Sequence, residues 1–106
     1  MKQGGQVNYY IEWDPQKAGQ NARKHGVIFP RAATVFSDPN QLSLFDESHS
    51  DDEDRWITIG MDHGGNILVV IHTFQASSAN DAKLRIISAR KATPAETDIY
   101  EQRYRR

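Results

Sequence analysis

At 106 residues the chain has room for one domain around a single modest core, and without a cysteine it holds no disulfide, thiolate nucleophile or Cys-ligated zinc. Hydrophobic residues make up 38% and charged residues 25%, ordinary for a globular protein, and no apolar run reaches the length of a membrane span. The net charge of −1 conceals an asymmetry: residues 46–54 hold six of the 14 acids and no base, which leaves eight acids against 13 bases in the rest.

Residues 1–8 read as a disordered lead-in to a single domain over 9–106. They carry one Lys and no apolar stretch of the signal-peptide kind, so the cytoplasm is the expected compartment. Tyr9 to Trp13 is a short β-prone run, and Asp14-Pro15 then combines an N-cap with proline at the first helical position. That helix is expected to end at His25, with Gly26 as its left-handed terminator. A second short helix is expected over Pro30 to Phe36, with Ala32, Ala33 and Phe36 inward, and Ser37-Asp38-Pro39-Asn40 breaks it. Leu42 to Phe45 is a weak strand leading into the acidic loop. Stronger β signals follow at Arg55–Met61, Ile67–Phe74 and Lys83–Ala89, the first two flanking the turn Asp62-His63-Gly64-Gly65-Asn66. Thr93-Pro94-Ala95-Glu96 is a capping-box sequence opening a last helix. Short connections between strands predict an α+β fold: an antiparallel sheet of three to four strands, with two helices before it and one after.

With Gly64 and Gly65 as a two-residue loop, Met61 opposes Leu68, Ile59 opposes Val70 and Ile57 opposes His72. Arg55 and His72 then share a face as diagonal neighbours at roughly 7–8 Å, close enough to meet one phosphodiester. A slip of one residue would part them. The competing reading of His72 is a hydrogen-bonded core histidine. On the first helix Lys17, Asn21 and Lys24 form one stripe, with Ala18, Ala22 and His25 on the stripe packed toward the sheet. Lys24 and His25 are either a phosphate contact with a general acid, or a basic last turn that favours the helix dipole. Lys83, Arg85, Arg90 and Lys91 make the last strand the most basic segment, and guanidinium suits charge developing on a phosphorane. Five positions apart, Arg85 and Arg90 fall on opposite faces of a regular strand unless it bulges near Ala89.

A basic body with one acidic loop suits nucleic acid, whose counterions Lys and Arg displace, and it equally describes a solvated acidic loop. Zincin spacing, a glycine-rich phosphate loop and a Gly-x-Ser-x-Gly elbow are all missing from the sequence, so neither a metal nor a cofactor is expected.

Ile11-Glu12-Trp13-Asp14-Pro15 through Lys17, Asn21, Lys24-His25-Gly26-Val27, Phe29 and Ala32 resembles the N-terminal signature of the BrnT family. Asp38-Pro39, Asp51 to Trp56 and Ile59-Gly60 resemble its middle. Arg85 to Arg90 with Ala92, Glu96 and Tyr100 resembles its C-terminal signature. The ordered set spans residues 11–104. The chain departs from the pattern at Pro30-Arg31, where the family has acids, and in a longer Ser/Ala-rich connection over 75–81. The resemblance implies a RelE-like fold and a type II toxin: an endoribonuclease that inhibits growth by metal-free attack of the RNA 2′-OH on the adjacent phosphate. It further implies a BrnA-type antitoxin that itself binds DNA, held with the toxin in a hetero-oligomer and away from membranes. By motif position it nominates Lys24, His25, Arg55, Arg85, Arg90 and Tyr100 as catalytic. A degenerate toxin that only binds its antitoxin is the competing function.

Overall fold

In the computed structural model, residues 7–49 and 53–104 are described; most of the expected lead-in, the middle of the acidic loop and Arg105-Arg106 lie outside these. The first strand, β1 (Asn8–Trp13), hands the chain to α1 (Pro15–His25). The Asp14 side chain accepts from Lys17 N–H at 3.1 Å, and Gly26 ends the helix at φ 71°, where a side chain would be strained. A shorter α2 (Phe29–Ala33) tightens into a 3₁₀ turn (Thr34–Ser37) that brings Val35 and Phe36 inward. The strands β2 (Leu42–Phe45), β3 (Arg55–Met61), β4 (Ile67–Thr73), β5 (Gln75–Ala76) and β6 (Asp81–Lys91) follow, then α3 (Pro94–Tyr104). At the start of α3 the capping box is reciprocal: Glu96 N–H donates to Thr93 Oγ1 and Thr93 N–H to Glu96 Oε1.

The sheet order is β1-β6-β4-β3-β2, with β5 beside β6. It is a mixed sheet, which corrects the expected antiparallel sheet of three to four strands: β1 runs parallel to β6. About seventy residues separate these two strands, so no tight turn constrains their direction. Parallel pairing places Ile11 beside Leu84 and Trp13 beside Ile86, so that apolar side chains meet on one face.

The hairpin register also differs from the two-glycine expectation. Asp62 N–H donates to the Asn66 carbonyl, and the Asp62 carboxylate accepts from Gly64 and Asn66 N–H, so three residues form the loop, with Gly65 at φ 85°. Met61 therefore pairs with Ile67, Ile57 with Ile71 and Arg55 with Thr73. One position of slip exchanges the faces.

Leu68, Val70, Leu84, Ile86 and Ala89 point to one side and pack against Val27, Phe29, Ala32, Val35 and Phe36. On the other side Ile59 and Val69 pack beneath Tyr100 of α3, joined by Ile57, Met61 and Ile67. Helices thus cover both faces. Gly60 lies under the 3₁₀ turn, where an added Cβ would meet Val35 Cγ1 at 2.6 Å. No helix among the described residues is long and apolar enough to cross a membrane.

Candidate active site

One extra residue in β6 decides where its arginines go. Ile71 pairs with Ser88, but the next residue of β4, His72, pairs with Ile86, so Ile87 is a bulge. The bulge brings Arg85 and Arg90 onto the same face of the sheet, which a regular strand would not do. Arg55, opposite Thr73, faces the same way, and Thr73 Oγ1 accepts from the Arg85 N–H. Three candidate arginines therefore share the side that α3 partly covers.

Arg90 and Arg85 are held differently. Arg90 makes a two-pronged pair with Glu96, both contacts at 2.8 Å. The Arg90 hydrogen bond, opposed by burial and helped by Thr93 N–H, pulls the Glu96 carboxyl down to about 2, and the same pair raises Arg90 further above its ordinary value. Arg85 pairs with Glu53 at the end of the acidic loop, a contact in which both side chains are more than a third exposed. Around Arg85 the sheet ends in a polar hollow of about 570 Å³, whose lining includes Glu12, Lys83 and Asp54.

Lys24 and His25 lie at the edge of this face. Beyond Trp13 no strand among the described residues continues along the β1 side of β6, which keeps β4 on its other side, and α1 borders the open side instead. Lys17, Lys24, His25, Ile87 and Ser88 line the resulting groove. Ser88 belongs to both places: by register it shares the face of Arg85 and Arg90, and it also lines the groove with Lys24 and His25. Asn21, grouped by sequence with Lys17 and Lys24 rather than with the stripe packed toward the sheet, is buried and ties α1 to β6 at Ala89. Its Nδ2 donates to the Val27 and Ala89 carbonyls and its Oδ1 accepts from Ala89 N–H, at 2.8–3.0 Å. Helical periodicity could not single it out, because an amide reads as surface until its partners are known.

His72 and Arg55 do not meet. The revised register turns His72 to the α1 and α2 side, where it is 3% exposed. Its Nδ1 donates to the Thr73 carbonyl at 2.9 Å, and Thr58 Oγ1 lies 2.6 Å from Nε2. Burial, only partly offset by the Thr73 carbonyl, lowers the His72 pKa and keeps the ring neutral. Tyr100 is 1% exposed and donates its hydroxyl to Asp38 Oδ2 at 2.6 Å. Asp38 also accepts from Met61 and Asn40 N–H. Its burial would raise the carboxyl pKa, but these donors, Tyr100 first, outweigh burial and lower it. Asp38 is thus a knot tying α3, β3 and the 38–41 turn together, where sequence reasoning saw a helix breaker and a position of the family's middle signature. Among the described residues no group of three or more His, Asp or Glu stands close enough to hold a metal ion.

A sequence model described as "Ribonuclease toxin, BrnT, of type II toxin-antitoxin system" matches residues 13–96. Among solved structures, the 1.1 Å crystal structure of the Brucella abortus ribonuclease toxin BrnT is similar, with TM-score 0.53 and 27% sequence identity over 78% of this chain and 95% of that one. No curated protein sequence matches significantly.

Proposed function

The chain belongs to the BrnT family of ribonuclease toxins of type II toxin–antitoxin systems, and from that footing we propose that it is itself an endoribonuclease cutting RNA without a metal. The RNA 2′-OH attacks the adjacent phosphate, the 5′-oxygen leaves, and a 2′,3′-cyclic phosphate remains. The observation that carries the proposal is the bulge at Ile87, with Ser88 linking the arginine face to the groove of Lys24 and His25. A phosphodiester lying across Ser88 would meet cations on one side and an imidazole on the other.

In this reading His25 transfers the proton, Lys24 contacts a phosphate, and Arg55, Arg85 and Arg90 stabilise the charge developing on the phosphorane. Arg85 can exchange the exposed Glu53 carboxylate for a phosphate more easily than Arg90 can leave Glu96, which holds two of its guanidinium nitrogens. Tyr100 serves from a distance, through the Asp38 knot that seats α3. Unopposed, the enzyme arrests growth; a DNA-binding BrnA-type antitoxin neutralises it in a cytoplasmic hetero-oligomer.

Purified protein is expected to cleave RNA in excess EDTA and to leave cyclic phosphate ends. His25→Ala and Arg85→Ala should each lower the rate by about 10²–10³-fold, the usual cost of one catalytic donor. Tyr100→Phe should lower thermal stability while the rate per folded molecule stays near wild type. Cleavage that vanishes with EDTA and returns with magnesium would overturn the mechanism. A folded wild-type protein that binds its antitoxin but never cuts RNA would identify a degenerate toxin.

A further inference from the structure

A second cavity, of about 150 Å³, opens on the opposite side of the same end of the sheet. Aromatic rings form much of its wall: Tyr9, Phe36, Trp56 and Phe74. Phe36 meets the His72 ring edge-on at 4.8 Å, and Trp56 meets Phe74 at 6.3 Å. Drug-sized ligands need about 300–1,000 Å³, so the space suits one heteroaromatic ring. Phe74 lines both this cavity and the polar hollow of Arg85. A polynucleotide with a phosphate at Arg85 could therefore turn a neighbouring base around Phe74 into the cavity.

The direction of the hydrogen bonds inside follows from chemistry. A carbonyl accepts only, so His72 Nδ1 carries the proton given to Thr73, and in the neutral ring Nε2 is the acceptor. Thr58 must then donate its hydroxyl proton to Nε2, and Ser43 must donate its own to Thr58 across 2.6 Å. Ser43, exposed at the cavity, is left with lone pairs alone. Gln41, also on the wall, uses its amide nitrogen on the Phe36 and Asp38 carbonyls, which leaves its oxygen as an acceptor.

We propose that this cavity is a nucleobase pocket selecting a base with an exocyclic amino group, whose two N–H bonds answer the Ser43 and Gln41 oxygens. Uracil is disfavoured because its one ring N–H lies between two carbonyl oxygens that would face those acceptors. The pocket sets where RNA is cut, and so it rests on the ribonuclease reading for its purpose but not for its chemistry.

The test uses the full chain and free nucleosides, which carry no phosphate and need no catalysis. Guanosine, cytidine and adenosine, or the subset of them that fits, should shift the His72 imidazole and Trp56 indole NMR signals. Uridine should bind about a hundredfold more weakly, the worth of two hydrogen bonds. Ser43→Ala should weaken the amino nucleosides about tenfold, the worth of the one acceptor removed, and should not weaken uridine. Equal binding of all four nucleosides, or no shift at millimolar concentration, overturns the proposal even if RNA is cleaved. Shifts at these signals produced by the antitoxin protein but by no nucleoside overturn it too, and make the cavity a protein contact.

Discussion

Glu96 shows how one residue can satisfy two demands at once. Its carboxylate caps α3 through Thr93 N–H and grips Arg90 with both oxygens, so the helix start and the candidate catalytic strand share one anion. The folded carboxyl titrates at about 2 against an ordinary value of 4.5. A depressed acid contributes stability above its unfolded pKa and loses it as pH falls through the folded one, so the window runs from about 4.5 down to about 2. Arg90 is 40% exposed, and solvent screening reduces the contribution to about 1 kcal/mol. Glu96→Gln is therefore expected to destabilise by about 1 kcal/mol at pH 7, with the gap from wild type closing toward pH 2. Urea unfolding across that range measures it, and a gap that persists at pH 2 would assign the loss to packing rather than charge. The sequence displayed the Thr93–Glu96 cap because it is local. That Arg90 is the arginine Glu96 meets was decided only by the fold, which brings α3 against the end of β6.

Among the elements, β3 and β6 carry the two irregularities that position the site. β6 bulges at Ile87, and β3 passes beneath the 3₁₀ turn at Gly60 with no room for a methyl group. Gly60→Ala must push Val35 aside, and overpacking of this kind costs about 1–3 kcal/mol. The loss should appear as a lower midpoint of thermal unfolding, and restoring space with Val35→Ala should recover part of it. An unchanged midpoint in Gly60→Ala would show that the turn shifts freely. The hairpin illustrates the limit of local reading: two glycines suggested a two-residue loop, but the Asp62 carboxylate takes two turn N–H groups and lengthens the loop to three. That side-chain bond reversed which residues of β4 face Arg55.

At the scale of the whole molecule, cations gather on the arginine face and along the α1 edge groove, while the acidic loop reaches in through Glu53. An antitoxin covering this region should bury Arg55 or the Arg85–Arg90 segment and present acids to them. Its association rate should fall steeply with salt, since the Debye length shrinks from about 10 Å at 0.1 M to about 3 Å at 1 M. Stopped-flow association at several ionic strengths tests this. A salt-independent rate, or a complex that leaves all these arginines exposed, would place the antitoxin elsewhere.

By itself the sequence determined the features that depend on near neighbours along the chain. The Asp14 and Thr93 caps, the Gly26 terminator and the strands over 55–61 and 67–73 follow from residues within a few positions of one another. Its ordered motifs also pointed to the family. Tertiary structure alone decided the rest. The parallel β1–β6 pair, the burial of Asn21, the Asp38–Tyr100 knot and the face of each arginine all join residues far apart in sequence. A strand places successive side chains on opposite faces, so one bulge or one added loop residue reverses every later assignment. Such single-residue shifts are settled by which buried polar groups find partners once the sheet has formed.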